Sequence, residues 1–342
     1  MNKNKILPFL VSFWLSFSGA NPSAPLKSLL SEAQDLEKRS GPQSSVDYLW
    51  KNSEKLQRPE LLYLAKSLVK LGNFKDLLRV SELGLSKNPS DSEFLTFQGK
   101  AYLETSKDRK VLDKAQESLR SAIGVDPKFE PPYLILDKYY EEQDLLSREQ
   151  KKPARFLQSR RVLFEDLIAQ RGETALYLSK MCEIDALDGV NGQAIKNCNR
   201  AIELNKSDVQ SMIFLAKVHR QQGEPKEAVK AFLLAVKTSP KSEVVLSAYG
   251  SYLEEDKNFS EAYIQFKSCL ANNPKSNSCL RGLGSSAASL KKWDESYKSF
   301  QKLCKKDRKW SLDVRKASMT AKELGEFNWE QKFLELSINC NI

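Results

Sequence analysis

The chain of 342 residues sets 54 Lys and Arg against 44 Asp and Glu, a formal charge of +10 at pH 7, with one His and six Cys. A single His and the lack of any CxxC pair exclude the common zinc sites, and no nucleophile elbow, phosphate-binding glycine loop or metal motif is present. The positive charge is spread in short tracts, of which Lys305-Lys306-Asp307-Arg308-Lys309 is the densest, and this argues against a nucleic-acid partner. No cofactor is expected.

Met1–Ala20 opens with Lys3 and Lys5, continues through the apolar run Ile6–Phe17 and ends on Ser18-Gly19-Ala20. That is the pattern of a secretory signal cleaved after Ala20. The run is short for a bilayer span, and no later segment is apolar enough to be transmembrane. The expected location is therefore exported, periplasmic or secreted.

Residues 21–57 form a degenerate first pair of helices, broken at Ser40-Gly41-Pro42. Unit 58–91 carries Leu64-Ala65, Leu71-Gly72-Asn73-Phe74, Gly84 and Asn88-Pro89. Unit 92–129 carries Gly99, Tyr102, Ala115, Leu119, Ala122 and Asp126-Pro127, with four extra residues at Ser106-Lys107-Asp108-Arg109. In 130–174 the pattern places helices over about Pro132–Glu142 and Ala154–Ala169, joined by a polar turn, Ser147–Pro153. Units 175–208, 209–242, 243–276 and 277–310 then keep a fixed length, with Lys206, Pro240, Pro274 and Arg308 each 34 residues after the last. Residues 311–342 keep Ala317, Leu324-Gly325-Glu326-Phe327 and Phe333 but lose the closing Pro, as a capping pair does. A fixed period of this length marks a stacked helical repeat.

Within the four regular units, position eight reads Cys182, Ala216, Gly250, Gly284, and position twenty reads Ala194, Ala228, Ala262, Ser296. Position twenty-four reads Cys198, Phe232, Phe266, Phe300. Small residues at eight and twenty let two helices approach closely, and the larger residue fills the space beside them. The pattern resembles the tetratricopeptide repeat, most clearly at 209–242 with Leu215-Ala216, Gly223-Glu224, Ala228, Phe232, Ala235 and Pro240. The resemblance implies an all-α fold, an α-α superhelical solenoid of about eight helical hairpins. It also implies a protein-interaction scaffold rather than an enzyme, and exported members of the family often assist assembly of envelope machines.

The same resemblance implies that first helices line a concave groove, with positions two, five, nine, twelve and thirteen pointing into it. Position nine reads Lys66, Lys100, Lys138, Glu183, Lys217, Ser251, Ser285, Met319. Arg220 lies one turn beyond Lys217, and Arg281 holds position five. Such a row of cations favours another protein's acidic or extended segment, although an exposed Lys is ordinary in so basic a chain. The two-carboxylate clamp of some relatives is not reproduced, since Leu62 precedes Lys66 and Ile213 precedes Lys217. The alternative is a basic surface that binds anionic lipid or polysaccharide.

Positions eight and twenty-four face each other in this family, which brings Cys182 to Cys198. Cys269 and Cys279 flank one turn, and Cys304 and Cys340 remain. Disulfides and small buried thiols replacing Ala are both open readings here. His219 is expected in the core or at the groove edge, and the carboxylates on exposed helix stripes.

Overall fold

The computed structural model describes residues 28–150 and 152–340; the expected signal segment, Met1–Ala20, lies outside them. The chain divides into two compact units, one up to Val125 and one from Asp126 onward. The first unit holds α1 (Leu29–Ser40), α2 (Pro42–Lys51), α3 (Arg58–Leu71), α4 (Phe74–Lys87), α5 (Ser92–Thr105) and α6 (Arg109–Val125). The second holds α7 (Pro131–Glu149), α8 (Leu157–Arg171), α9 (Ala175–Asp188), α10 (Asn191–Leu204), α11 (Val209–Gln221), α12 (Pro225–Thr238), α13 (Glu243–Glu255), α14 (Phe259–Asn272), α15 (Asn277–Ser289), α16 (Trp293–Cys304), α17 (Ser311–Glu323) and α18 (Phe327–Ile338). Among the described residues these 18 helices pair in chain order as nine hairpins, and no strand is present.

The nine hairpins coincide with the nine units delimited in the sequence from 21–57 to 311–342, one more than the round figure of about eight, and 130–174 keeps both of its helices despite its irregular length. The first of them is also longer than the sequence suggests. No helix breaker follows Glu142, so α7 runs on to Glu149. Buried Asp144 on that extension accepts hydrogen bonds from the backbone N–H of Arg155 and Phe156, at 2.7 and 3.0 Å. Tyr140 stacks on Phe156 with ring centroids 4.7 Å apart. These contacts fold the polar turn back against its own helix, and α8 starts later for the same reason.

The 34-residue period is enforced at three places in the regular hairpins from α9 to α16. The first is the residue before the first helix. Thr174, Asp208, Ser242 and Ser276 each accept a hydrogen bond from the backbone N–H three residues on, satisfying one of the donors that a helix start leaves unpaired. Asp91 does the same for α5 and also binds Arg58 Nε at 2.6 Å. Burial pushes the Asp91 carboxyl up, but Arg58 and the amides of Phe94 and Glu93 outweigh it, and the net shift is down. The second place is the turn between helices, where the chain enters the left-handed region. Gly189, Gly223 and Gly325 take it at φ 77°, 76° and 78°, whereas Lys257 and Lys291 take it at 59° and 58°.

The third place is the contact between the two helices of a hairpin. A Cβ on Gly250 would lie 2.8 Å from the Phe266 ring, and one on Gly284 would lie 2.8 Å from the Phe300 ring. The Phe266 ring also presses on the next hairpin, since a Cβ on Gly282 would meet it at 2.2 Å. Small residues at these positions are thus what lets a ring lie between two helices without a void. Ala194, Ala228, Ala262 and Ser296 are fully buried beside them.

Two predictions follow from these positions. Gly282→Ala forces the Phe266 ring to move and should cost about 1–3 kcal/mol, read as a lower urea midpoint than the parent. The pair Lys257→Gly and Lys291→Gly relieves a left-handed conformation unfavourable for a side chain and should stabilise by roughly 0.5–1 kcal/mol per site once the flexibility of unfolded glycine is discounted; a lower midpoint in thermal unfolding would contradict it.

Candidate partner-binding face

The first helices of neighbouring hairpins pack side by side within the second unit: α9 on α11, α11 on α13, α13 on α15 and α15 on α17. The expected cations divide between the two units, and the structure shows what each of them meets. In the first unit, Lys66 Nζ stands 3.5 Å from Glu93, and Lys100 stands 3.6 Å from Glu104 and 5.6 Å over the Phe74 ring. In the second, Lys138 is 3.9 Å from Glu142, and Arg220 pairs with Glu255 and lies 5.6 Å over Tyr252. Lys217 lies 4.9 Å over the Phe214 ring. Burial against its neighbours pulls the Lys217 ammonium pKa down, with Glu183 opposing and Arg148 adding to the shift. Arg281 lines a cavity shared by α13, α15 and α17. Among the described residues, Lys217 and Arg281 are the two members of the row with no ion pair. The row is thus largely a sequence of paired charges rather than a bare cationic strip.

Position two adds a second feature of this face. Leu176, Val244 and Leu312 hold it in alternate hairpins, 68 residues apart, and remain 47%, 54% and 61% exposed. Met319, at position nine of the last pair, is 61% exposed.

The expectation that carboxylates keep to exposed stripes is corrected. Asp91, Asp137, Asp144, Glu183 and Asp185 are all buried. Three of them belong to charge clusters that interrupt the cation row. Fully buried Arg160 donates through Nε to Asp137 at 2.6 Å, and its Nη2 lies 3.5 Å from Glu183 and 3.8 Å from Glu141. Lys180 reaches the same three carboxylates at 3.2, 3.5 and 3.1 Å. Burial raises the Glu183 pKa, and the two cations offset this only in part. Beside the cluster, Arg161 bridges Asp185 at 2.5 Å and Asp188 at 2.8 Å, and Asn197 donates to Asp185 at 2.7 Å. Burial is also the main reason the Asp185 pKa is raised. One signal for this cluster is present in the sequence. On α8 the buried residues are Arg160, Leu163, Phe164 and Leu167, so an arginine occupies the first place of an apolar stripe.

The cysteines join as Cys182–Cys198, Cys269–Cys279 and Cys304–Cys340, leaving no free thiol. The first bridge occupies the eight-to-twenty-four contact that a glycine and a ring make in later hairpins. The third ties α16 to the residues after α18. His219 sits at the edge of its hairpin with Nδ1 2.7 Å from Glu224. No cluster of three or more metal-binding side chains occurs among the described residues, and none of their helices is long and apolar enough to cross a membrane.

Replacing one partner of the buried cluster tests its energetics. Arg160→Met leaves Asp137 facing Lys180 alone and should cost about 3–5 kcal/mol, whereas Arg160→Met with Asp137→Leu should recover most of that loss. Equal denaturant midpoints for the parent and the single variant would show that the cluster contributes nothing.

A tetratricopeptide-repeat family model matches residues 209–242. No curated protein sequence matches the chain. Among solved structures, it is similar to a tetratricopeptide repeat protein from Parabacteroides merdae ATCC 43184, with 13% identity and a TM-score of 0.52 over 75% of this chain and 97% of that one. PilW, described as a widely conserved type IV pilus biogenesis factor, is similar at 18% identity and a TM-score of 0.49, over 64% of this chain and 94% of PilW. MamA is similar at 20% identity and a TM-score of 0.43, over 52% and 95%. At these identities the likeness is one of fold. The hairpin at 209–242, first met as a 34-residue spacing, is thus a tetratricopeptide repeat, and the likeness of the chain to a solved tetratricopeptide-repeat structure is one of fold.

Proposed function

We propose that this chain is an exported scaffold that holds an extended segment of a partner protein along its first-helix face while an envelope complex assembles. The observation that carries this reading is the stripe at position two. Leu176, Val244 and Leu312 expose large apolar side chains at a fixed two-hairpin interval, beside polar and charged groups on the same helices. Isolated exposed apolar residues are ordinary, but a regular file of them on one face suits an extended ligand. Export draws support from the three bridges that use all six cysteines, a usage typical of oxidising compartments, and from the signal-like pattern of Met1–Ala20.

The paired state of Lys66, Lys100, Lys138 and Arg220 makes a purely acidic partner a weaker fit than the lysines alone suggest. A segment that combines apolar side chains with both signs of charge matches the face better.

Photo-crosslinking side chains placed at Leu176, Val244 and Leu312, and at second-helix Leu233 as a control, test the reading in the native host. Adducts with one common protein from the first three sites and not from Leu233 are expected; adducts independent of the face would overturn it. The triple variant Lys66→Glu, Lys100→Glu, Lys138→Glu checks the acidic component separately. Capture of that partner should fall by less than about tenfold, that is by less than roughly 1.4 kcal/mol, and abolition would restore the acidic reading. Salt-sensitive binding to anionic vesicles with no protein adduct would favour the lipid alternative instead.

A further inference from the structure

The last helix carries an apolar face that no described residue covers. In the preceding hairpins, three positions of the second helix pack on the hairpin that follows. At position seventeen, Trp293 stacks on Trp329 and meets Phe333 edge-on, both of them on α18, with ring centroids 6.5 and 6.3 Å away. At position twenty-four, the Phe266 ring presses on Gly282 of the next hairpin, and Phe232, Phe266 and Phe300 are all buried. At position twenty-eight, Leu270 packs against the core formed by the hairpins from α15 to α18. Among the described residues no hairpin follows α18. Its residues at the same three positions, Phe327, Leu334 and Ile338, stay apolar and are 69%, 46% and 59% exposed. A terminal hairpin ordinarily turns a polar face outward, so the retained side chains mark a contact surface.

Phe327, Gln331, Leu334 and Ile338 follow one another at helical spacing and form one exposed line along α18. Asn328, Lys332 and Glu335 run beside it and are exposed too. Gln331 donates to Glu335 at 3.2 Å. Lys332 lies 4.2 Å over the Trp329 ring and makes no ion pair among the described residues. The Cys304–Cys340 bridge ties the end of α18 to α16, so the helix is held in place with this face bare. Two arrangements bring a second copy onto the face. Head-to-tail stacking needs a matching bare apolar end at α1 and α2, and no large apolar side chain of those helices is exposed. Tail-to-tail stacking sets α18 antiparallel to the α18 of the other copy about a two-fold axis. Phe327 then falls opposite Ile338 of the other copy, and Gln331 opposite Leu334. The same centring brings Lys332 within a turn of Glu335 of the other copy, and the two-fold repeats that pair of opposite charges.

We propose that α18 is a self-association surface on which a second copy of this chain packs its own α18 antiparallel, with Phe327, Leu334 and Ile338 in the contact and Lys332–Glu335 pairs on its flank. The helix has 12 residues and is about 18 Å long. A contact of that length lies at the small end of specific interfaces, so the association is reversible rather than obligate. The inference goes beyond the scaffold reading and does not depend on it. A dimer carries two first-helix faces, and a partner with two matching segments gains avidity from both.

Sedimentation equilibrium of the chain as its host produces it tests the surface. The average mass should climb from one chain toward two as concentration rises through the micromolar range, with no larger species. Leu334→Glu should weaken the association by about tenfold or more, because each copy would bury an unpaired carboxylate. Its helicity should match the parent, since Leu334 already faces solvent in the single chain. Leu233→Glu, on α12, should leave the association unchanged. Lys332→Glu should weaken it by about threefold, and Lys332→Glu combined with Glu335→Lys should restore it, because the two-fold exchanges both members of the pair. A mass of one chain at every concentration, association indifferent to Leu334→Glu, or a double charge variant no better than the single one would each overturn the proposal. Growth beyond two chains would do the same, as would a photo-crosslinker at Phe327 that captures a different protein and never a second copy.

Discussion

A phenyl ring seated on a glycine sets how near the helices of this chain can come. Phe266 lies against Gly250 of its own hairpin and Gly282 of the next, and Phe300 lies against Gly284. Dispersion falls away steeply with separation, so a gap of under an ångström forfeits much of the contact. The first-helix face exists because that contact recurs. When each second helix seats at the same depth, the first helices come side by side at a regular interval, and their outward residues fall into a file. In the hairpin of α9 and α10 the same contact is made by the Cys182–Cys198 bridge, which replaces packing with a covalent link.

Charge is used in two ways along that face. Where side chains stay wet, the cations sit near carboxylates of the same or the next hairpin, and such exposed pairs are individually weak. Where the chain departs from its period, between α7 and α9, charges move inside. Arg160 is buried among Asp137, Glu141 and Glu183, and the desolvation this requires makes the cluster sensitive to loss of any one member. It stands where the following hairpins carry Ala194, Ala228, Ala262 and Ser296, and so marks a local change in what the hairpin contact is made of.

Much of the architecture was legible beforehand because it depends on properties that repeat one residue at a time. The small residues at positions eight and twenty, the aromatic residue at twenty-four and the closing Pro signalled the hairpins from Ala175 onward. The turns at Gly223 and Gly325 were legible from their glycines, whereas the left-handed turns at Lys257 and Lys291 carry no such residue. The fold-back of the polar turn after α7 was not legible, because it depends on the reach of Asp144 to the amides of Arg155 and Phe156. The candidate site was legible as a set of positions and not as a set of partners: the lysines stood on the expected face, while the carboxylates opposite them came from other turns and other hairpins.

The amino-acid sequence by itself determined the all-helical repeat, the places where helices start and turn, and which residues share the first-helix face. These follow from backbone preference, capping and helical periodicity, all of which act within a few dozen residues. Only the tertiary structure decided which charges of separate helices meet, as Arg58 meets Asp91 and Arg160 meets Asp137, and which carboxylates go inside. Those outcomes depend on distances between residues brought together from separate helices and on the water excluded between them, and neither quantity is a property of any single stretch of chain.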